Sequence, residues 1–470
     1  MENKIYKKND ILKVDITDLD TDGNGIGKVD GYTLFIKDTY PGDKCLVKIM
    51  KAKKSYAFAH LEEIIMPSLD RVGSKCERAK ACGGCTLQGL SYEAQVRYKQ
   101  NKIVNNLVRL GGFDKEYIES ICEPFLESEV PYRYRNKAQY PVGYNKSGEL
   151  ITGFYAGHSH NIIPVRDCML GPMENREILN VIFDWMRDCK IGAYVPGMSR
   201  GIRHILIRKG YATGEIMVCL VVSTNKIFTD KNCDILVKGL QNPNDNICSV
   251  SYSVNSADTN VIMGDNYQVL YGKPTICDYI GSLKFEISPL SFYQVNPAQT
   301  VRLYGKALEY ANLSGNEIVW DLYCGIGTIS LFMAQKAGKV FGVEIVPQAI
   351  EDAEKNAQIN GLTNTEFYVG KAEEVLPREV KNDVEKSHPD VIVVDPPRKG
   401  CDEQCLNTML QIAPARIVYV SCDSATLARD LRILVDGGYT LTKVCGCDMF
   451  SQTVHVETVV LMSKVNTVKG

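Results

Sequence analysis

A strand that runs into a glycine turn constrains the fold of this chain more than any other stretch. Residues 317–327 are Glu-Ile-Val-Trp-Asp-Leu-Tyr-Cys-Gly-Ile-Gly, an apolar β-branched run that ends in two glycines before a helical pattern. This order is typical of an open α/β sheet, in which glycines let the backbone approach a ligand at a helix N-terminus. Glu344 ends the next strand about twenty residues further on, where a carboxylate can bind ribose hydroxyls.

A third glycine would complete the dinucleotide-binding fingerprint, but Ser330 stands in its place. With no pyrophosphate to bind, S-adenosylmethionine fits this turn better than a nicotinamide dinucleotide. Gly325, Gly327 and Glu344 are therefore candidate cofactor-binding residues. The alternation of strands and helices after residue 286 predicts a Rossmann-like C-terminal domain.

Cys422 follows Ile417–Val420, a short apolar run that predicts a buried strand. Ligands of open α/β sheets bind beyond the carboxyl ends of the strands, so this cysteine is a candidate nucleophile; an ordinary buried thiol is the alternative. A free thiol is mostly protonated at neutral pH, so we expect the site to lower the pKa of Cys422. Arg398 follows Asp395-Pro-Pro, where amino-group methyltransferases have an aromatic residue, which argues against methylation of an exocyclic amine.

Three cysteines, Cys76, Cys82 and Cys85, lie within ten residues of one another in a loop with paired glycines. This spacing predicts a metal site, and Cys168, in another non-helical stretch, is the best candidate for a fourth ligand. Four thiolates suit zinc or an iron–sulfur cluster, and the uneven three-plus-one arrangement favours the cluster.

The first 66 residues alternate short apolar runs with turns and predict a small β-barrel. Four lysines between positions 48 and 54 precede Tyr56 and Phe58, a combination suited to RNA contacts, with a solvated lysine face as the alternative. The Asp-Gly-Asn-Gly-Ile-Gly run at 22–27 and the Pro-Gly-Asp turn at 41–43 resemble the TRAM domain, an RNA-binding module.

The stretch Tyr132–Lys137 alternates basic residues with tyrosines. On a strand, Arg133 and Arg135 could bind RNA phosphates while the rings stack on bases; a half-buried amphipathic strand is the alternative. The rest of residues 67–285 predicts a β-rich domain with one helix near 174–187. The apolar spacing in 91–112 predicts a helix that packs on the catalytic domain.

Composition limits the class of protein. Hydrophobic residues make up 45% and charged residues 23%, as in soluble globular proteins. We find no signal peptide and no apolar run long enough to cross a bilayer, so we expect a cytoplasmic protein without a membrane partner. In that reducing compartment the 17 cysteines are not expected to form disulfides. The net charge of -2 gives no general attraction to nucleic acid, so any RNA-binding field must be local.

Two further motifs, Ser421-Cys-Asp and Phe450-Ser-Gln-Thr-Val-His-Val-Glu457, resemble the RNA uracil-5-methyltransferase family. With the cysteine quartet and the TRAM-like barrel, the chain is similar to the iron–sulfur subgroup that methylates 23S ribosomal RNA. The likeness covers nearly the whole chain and includes Phe292-Tyr-Gln-Val-Asn296, Asp321–Gly325 and Asp395–Gly400.

This resemblance implies a role for each motif. The residues that would contact S-adenosylmethionine are Gln294, Tyr323, Glu344 and Asp395. Cys422 would be the nucleophile and Glu457 the base. The ligands of a [4Fe–4S] cluster would be Cys76, Cys82, Cys85 and Cys168. Two positions depart from the family, because Ser424 and Ser451 replace prolines; we expect both to loosen the local backbone without removing a reacting group.

The chemistry explains why these residue types are needed. C5 of uracil is a poor nucleophile; a thiolate that adds to C6 creates an enolate whose C5 can attack a methyl donor. A base must then remove the C5 proton so that the thiolate can leave. A transfer-RNA uracil-5-methyltransferase would use the same chemistry, and a non-catalytic RNA-binding iron–sulfur protein with a vestigial methyltransferase half is a further alternative.

Together these inferences predict a monomer with three domains. Residues 1–66 form the TRAM-like barrel, residues 67–285 form a central iron–sulfur and RNA-binding domain, and residues 286–470 form a class I methyltransferase domain.

Overall fold

The computed structural model describes residues 6–465 apart from residues 158, 196, 198, 199, 243, 244, 258 and 260. The chain divides into two compact units. The first comprises the chain up to residue 102 together with 154–163 and 450–455. The second comprises 103–153, 164–449 and the chain from residue 456 onward. The three domain ranges expected from the sequence stay predictions.

The N-terminal strands form a closed barrel in the order β1-β2-β3-β5-β4, as predicted. The strands are β1 (Ile11–Leu19), β2 (Gly25–Val29), β3 (Tyr32–Ile36), β4 (Lys44–Ala52) and β5 (Tyr56–Met66). Alternate residues such as Val14, Leu34 and Val47 fill the interior. Strand β2 was not predicted because it is glycine-rich; a Cβ at Gly27 would lie 2.3 Å from the Val14 side chain.

Helix α1 (Tyr92–Arg109) confirms the predicted helix, and the short α2 (Lys115–Ile121) follows it. Asp114 caps α2 by accepting a 2.8 Å hydrogen bond from the Tyr117 amide. Ile103 and Leu107 of α1 and Ile118 of α2 are fully buried in the same apolar cluster as the strands of the C-terminal sheet. The end of α1 therefore packs on this sheet.

A seven-stranded sheet, ordered β12-β11-β10-β9-β6-β7-β8, occupies the centre of the chain. Its strands are β6 (Lys137–Tyr144), β7 (Leu150–Tyr155), β8 (Ile162–Pro164), β9 (Ile202–Lys209), β10 (Ile216–Val222), β11 (Ile247–Val254) and β12 (Tyr267–Gly272). Helix α3 (Glu174–Asp188) was predicted, but α4 (Asp230–Gln241) and a 3-10 turn (Asn225–Ile227) were not. A hairpin of β13 (Ile276–Ile280) and β14 (Leu283–Ile287) follows.

The C-terminal sheet has the order β17-β16-β15-β18-β19-β21-β20, in which the first five strands are parallel and the last two antiparallel to their neighbours. Its strands are β15 (Ile318–Leu322), β16 (Lys339–Glu344), β17 (Thr365–Val369), β18 (Val391–Val394), β19 (Arg416–Ser421), β20 (Tyr439–Cys447) and β21 (Glu457–Lys464). The predicted Rossmann-like architecture is present.

Helices flank this sheet and follow its strands. They are α5 (Pro297–Ala311), α6 (Thr328–Ala334), α7 (Pro347–Ile359), α8 (Ala372–Asn382), α9 (Val384–Ser387), α10 (Glu403–Ile412) and α11 (Ser424–Asp436). Trp320 of β15 is fully buried and stacks on Phe341 of β16, with ring centroids 4.8 Å apart. This packing fixes the two strands whose carboxyl ends carry the glycine turn and Glu344.

Among the helices of the described residues, none combines the length and the apolar character needed to cross a membrane.

Candidate active site

The glycine turn after β15 adopts a backbone that few residues allow. Tyr323, Gly325 and Gly327 have φ values of 77°, 54° and 82°, in the left-handed region. The amides of Tyr323 and Cys324 both donate to the carbonyl of Val343 at 3.0 Å, which ties the turn to β16. A Cβ built on Gly325 would have no atom within 4 Å, so the turn faces open space. These features fit a ligand that approaches the backbone closely.

Glu344, at the end of β16, faces this turn. One carboxylate oxygen accepts a 3.3 Å hydrogen bond from the Gly325 amide, and the other accepts a 3.0 Å bond from the Val346 amide. Glu344 is partly exposed, so its remaining lone pairs are open to a ligand. The structure thus brings together four of the predicted cofactor residues, namely Tyr323, Gly325, Gly327 and Glu344.

Asp321 is a buried carboxylate that the sequence did not single out. Its Oδ2 accepts a 2.6 Å hydrogen bond from Ser330, and its Oδ1 has no hydrogen-bond partner among the described residues. Burial raises the pKa of Asp321 to about 7, which the hydrogen bonds from Ser330 oppose. Asp395 follows β18, the neighbouring strand, and burial together with the charge of Asp321 raises its pKa to about 7. An unpaired carboxylate oxygen fits the cationic groups of S-adenosylmethionine.

Gln294 and Tyr323 also lie at this edge of the C-terminal sheet, where each contacts other side chains. Gln294 is buried and lies beside Tyr304, whose hydroxyl is 3.1 Å from the Thr328 hydroxyl. Burial and then the charge of Asp395 raise the pKa of Tyr304. Tyr304 and Thr328 are therefore neighbours of the site that sequence reasoning missed. The Tyr323 ring is half-buried and lies near Cys405, so this residue shapes the turn mainly through its backbone.

Cys422 and Glu457 stand side by side on neighbouring strands. Strands β19 and β21 are antiparallel, and Ser421 pairs with Thr458 in their register. Cys422 and Glu457 each lie one residue beyond that pair, on the same side of it. Glu457 is buried, with 3% of its surface exposed, whereas Cys422 is partly exposed. The sequence-predicted nucleophile and base thus meet although they are far apart in the chain.

The surroundings shift both groups toward their protonated forms. Burial, followed by the charges of Glu457 and Asp395, raises the pKa of Cys422 to about 12, while Arg398 lowers it. The expectation of a lowered thiol pKa was wrong for the free protein, because burial and then the charges of nearby carboxylates outweigh the charge of Arg398. Burial and then Asp395 raise the pKa of Glu457 to about 8, again opposed by Arg398.

Ser424, one of the two departures from the family pattern, is the first residue of α11. Asp423 caps this helix by accepting a 2.8 Å bond from the Ala425 amide. The Ser424 hydroxyl accepts a 2.8 Å bond from the Asn106 amide group. The serine is therefore held by a hydrogen bond that proline could not accept, rather than loosened.

The predicted RNA-binding strand is not a strand before Lys137, and Arg133 is not free. Arg133 has φ 55° and donates to the Asp167 carboxylate at 2.6 Å and to the Cys168 carbonyl at 2.7 Å. Its guanidinium holds the loop around Cys168, and the buried Tyr134 cannot stack on a base without moving. The interleaved pattern therefore reflects local packing at these two positions.

The barrel carries an aromatic cluster on its surface. The rings of Phe35, Tyr56 and Phe58 lie with their centroids 5.7 Å apart in each pair, and Phe58 is 44% exposed. With the lysines that precede Tyr56, this cluster offers ring faces and positive charge, the combination that binds single-stranded RNA.

The loop that carries three of the predicted metal-ligand cysteines lies within the described residues. Cys76, Cys82 and Cys85 are partly exposed, and the Gly84 amide donates to the Cys82 sulfur at 3.4 Å. Among the described residues, no three side chains of His, Cys, Asp or Glu lie together as metal ligands require. No catalytic step is assigned to a metal group at these cysteines.

Comparison with known proteins identifies the family. The family described as tRNA (Uracil-5-)-methyltransferase matches residues 280–465, and the TRAM domain matches residues 7–61. An uncharacterized RNA methyltransferase of Clostridium tetani is 45% identical over 97% of both chains, and one of Halalkalibacterium halodurans is 47% identical over 98% of both.

A solved structure is similar over almost the whole chain. It is the tRNA (uracil-54, C5)-methyltransferase of Pyrococcus abyssi in complex with S-adenosyl-L-homocysteine, with a TM-score of 0.74 and 26% identity. The match covers 96% of this chain and 100% of that one. The chain belongs to the family of S-adenosylmethionine-dependent RNA uracil-5-methyltransferases that carry a TRAM domain.

Proposed function

We propose that this enzyme methylates C5 of a uridine in 23S ribosomal RNA through a covalent bond between Cys422 and C6. The observation that carries the mechanism is the register of β19 and β21, which sets Cys422 beside Glu457 at the carboxyl edge of the sheet. A thiol and a carboxylate at that spacing can act on the two adjacent carbons, C6 and C5, of one pyrimidine.

Cys422 attacks C6, and the electron pair of the C5–C6 double bond moves toward C5. When bound, S-adenosylmethionine would supply the methyl group that becomes bonded to C5, and its sulfur would keep the electrons of the broken carbon–sulfur bond, which leaves S-adenosylhomocysteine. The residues that would hold it are Gln294, Tyr323, Gly325, Gly327, Glu344 and Asp395. Asp321 joins this set because its buried Oδ1 has no hydrogen-bond partner among the described residues.

Glu457 then removes the proton from C5, and the C6–sulfur bond breaks to release 5-methyluridine. A base works best when its pKa lies near the working pH. Burial gives Glu457 a pKa of about 8, so it is a far stronger base than an exposed glutamate. The raised pKa of Cys422 keeps its thiol protonated in the free protein until positive charge enters the site. Attack on C6 is therefore coupled to occupancy of the site.

Arg398 is the cation that opposes both shifts. Its side chain is exposed, and its backbone carbonyl accepts a 3.1 Å bond from Thr426, which fixes the loop after Asp395-Pro-Pro. We assign Arg398 the role of stabilising the Cys422 thiolate and the enolate oxygen charge that attack creates.

Two classes of RNA are candidates for the substrate. The resemblance to the 23S-specific subgroup rests on the cysteine quartet together with the barrel. Transfer RNA is favoured by the solved structure from Pyrococcus abyssi, whose name states a tRNA substrate. The proposal includes a monomer that acts in the cytoplasm on a uridine in a single-stranded loop, because a looped base is extruded at the lowest cost.

Mapping 5-methyluridine at nucleotide resolution in a deletion strain tests the target. Loss of one or more marks from 23S ribosomal RNA, restored by the wild-type gene but not by a Cys422→Ala copy, is the expected result. Loss confined to transfer RNA would replace the target and keep the chemistry. If every mark persists, the proposed function is wrong.

We also propose that Cys76, Cys82, Cys85 and Cys168 bind a [4Fe–4S] cluster with a structural role. The spacing of the cysteines supports this, and the partly exposed sulfurs are accessible to a metal. The thiolate route to methylation transfers no electron, so the cluster has no part in the reaction. It would close a long loop and limit the entropy of the unfolded chain.

A further inference from the structure

We propose that Lys137 and Arg208 form a binding site for a phosphate group of the RNA substrate, next to the methylation site. The identity of the anion as RNA rests on the proposed function, whereas the existence of an anion site rests on the geometry alone.

Lys137 and Arg208 are direct partners in the central sheet. Lys137 opens β6, Arg208 lies near the end of β9, and the antiparallel register pairs the two residues. Paired residues project from the same face of a sheet. Helices α3 and α4 cover the other face, where Asn175 of α3 donates to the Tyr140 hydroxyl at 3.1 Å. The two cations therefore lie on the face opposite the helices.

Arg208 is 1% exposed and incompletely paired. Its Nη2 donates to the carbonyl of Ser291 at 2.9 Å, but Nε and Nη1 have no hydrogen-bond partner in the described part of the chain. Buried guanidinium donors are almost always satisfied, because an unpaired one costs more than a missing surface bond. The unpaired nitrogens Nε and Nη1 thus indicate a missing acceptor.

Among the described residues, no carboxylate pairs with Lys137 or Arg208. Two neighbouring cations, in contrast, each pair with a carboxylate. Arg133 pairs with Asp167 at 2.6 Å, and Lys209 pairs with Glu174 at 2.6 Å. Burial and then the charges of Arg208 and Arg135 lower the pKa of Lys137 to about 7. Burial lowers the pKa of Arg208 to about 10. A desolvated pair of like charges is costly unless an anion joins it.

A short series of contacts connects the anion site to the predicted cofactor-binding residues. Arg208 contacts Ser291, and Asn136, which precedes Lys137, donates to the carbonyl of Gln294 at 2.9 Å. Gln294 in turn lies beside Tyr304, near Asp395. A phosphate flanking an extruded uridine can accept from the partly exposed Lys137 and, directly or through a water molecule, from Arg208.

The chemistry of the cofactor argues for RNA as the source of the anion. S-adenosylmethionine has one carboxylate but also an ammonium and a sulfonium, so two uncompensated cations repel it overall. RNA carries one negative charge per nucleotide, and the release of counterions favours its contact with lysine and arginine.

Binding of a short single-stranded oligouridylate, measured by fluorescence anisotropy over a series of salt concentrations, tests the site. We expect Lys137→Met to weaken binding about tenfold and to reduce the slope of log K against log salt by about 0.7, the value for one phosphate contact. Lys137→Arg should restore the slope, and Lys231→Gln, an exposed lysine on α4, should leave it unchanged.

Two further readouts separate a binding role from a structural one. Because Lys137→Met removes an uncompensated buried charge, its Tm should equal or exceed that of the wild type, whereas a structural lysine would lose stability. Its affinity for S-adenosylmethionine should not change. An unchanged RNA slope, or a loss of cofactor affinity instead, would overturn the proposal. Arg208→Met is the second variant, and its effect on RNA binding is compared with its effect on Tm.

Methylation of unmodified 23S ribosomal RNA and transfer RNA transcripts by the wild type is measured in parallel. No methylation of either RNA would refute the proposed function. A changed salt slope in Lys137→Met would still establish the anion site, so the two failures are distinguishable.

Discussion

Asp395 lies beside Asp321 at the carboxyl ends of two neighbouring parallel strands, and burial together with the Asp321 charge raises the pKa of Asp395 to about 7. Two carboxylates this close do not both ionise readily, so the pair retains a proton near neutral pH. A cation that binds between them displaces that proton.

We therefore expect binding of S-adenosylmethionine to release a proton near pH 7 and to weaken as the pH falls below 7. Asp395→Asn should abolish most of the release and lower the affinity by about tenfold, equivalent to about 1.4 kcal/mol. Calorimetry in buffers of different ionisation enthalpy measures both. Glu351→Gln, on the exposed side of α7, is the control. Normal proton release by Asp395→Asn would contradict the assignment.

The covalent step can be trapped. RNA with 5-fluorouridine at the target should form a stable adduct with the wild type, because fluorine cannot leave as a proton, and Cys422→Ala should form none. Glu457→Gln should accumulate a methylated adduct on natural RNA and slow turnover by roughly 10²–10⁴. Denaturing gel electrophoresis and mass spectrometry detect both species. An adduct with Cys422→Ala would show that another residue is the nucleophile.

The pH profile should report the unusual ionisations of the pair. In the proposed mechanism Cys422 and Glu457 react as thiolate and carboxylate, and their pKa values are raised to about 12 and about 8 in the free protein. The value of kcat/KM should therefore increase with pH through 8 and keep increasing above it. Arg398 lowers both pKa values, so Arg398→Gln should shift the profile to higher pH, and Arg398→Lys should shift it less. A profile that Arg398→Gln leaves unchanged would remove this residue from the mechanism.

A pair of glutamines should carry much of the stability of the loop before β21. Gln95 of α1 donates to Gln452 at 3.1 Å and accepts from the Gln452 amide at 3.1 Å, and it also donates to the carbonyls of Leu87 and Leu90. Gln95→Met leaves buried carbonyls unpaired and should lower the free energy of unfolding by roughly 1–3 kcal/mol. Asn101→Met, exposed on the same helix, should change it by less than about 0.5 kcal/mol. Urea denaturation measures both; equal values would show that the exchange adds nothing.

The metal prediction is decided by elemental analysis. Protein purified without oxygen should be brown and contain iron and acid-labile sulfide, and Cys168→Ala should bleach it. RNA affinity should fall more than the affinity for S-adenosylmethionine, because the cluster has no part in the reaction. A colourless protein with one equivalent of zinc would replace the cluster and keep the ligands.

Local patterns predicted the parts of the site that depend on neighbours in sequence. The strand before Cys422, the glycine turn and Glu344 at the end of β16 follow from apolar periodicity and turn chemistry. Arg133 was misjudged because its partner Asp167 lies 34 residues away. The direction of the shift in the Cys422 pKa depends on burial and then on the charges of Glu457 and Asp395, which are distant in sequence, so no local pattern reveals it. The pairing of Lys137 with Arg208 is likewise set by sheet register.

Cys422 and Glu457, the proposed nucleophile and base, lie directly beyond the last register pair of β19 and β21, which has a consequence for how such an enzyme can evolve. Their placement follows from the backbone pairing of these two strands. Selection can therefore exchange the barrel, the cysteine loop or the phosphate contacts to address a new transcript while the bond-making step is inherited intact. In such a chain, the parts that recognise RNA can change in evolution independently of the residues that carry out the reaction.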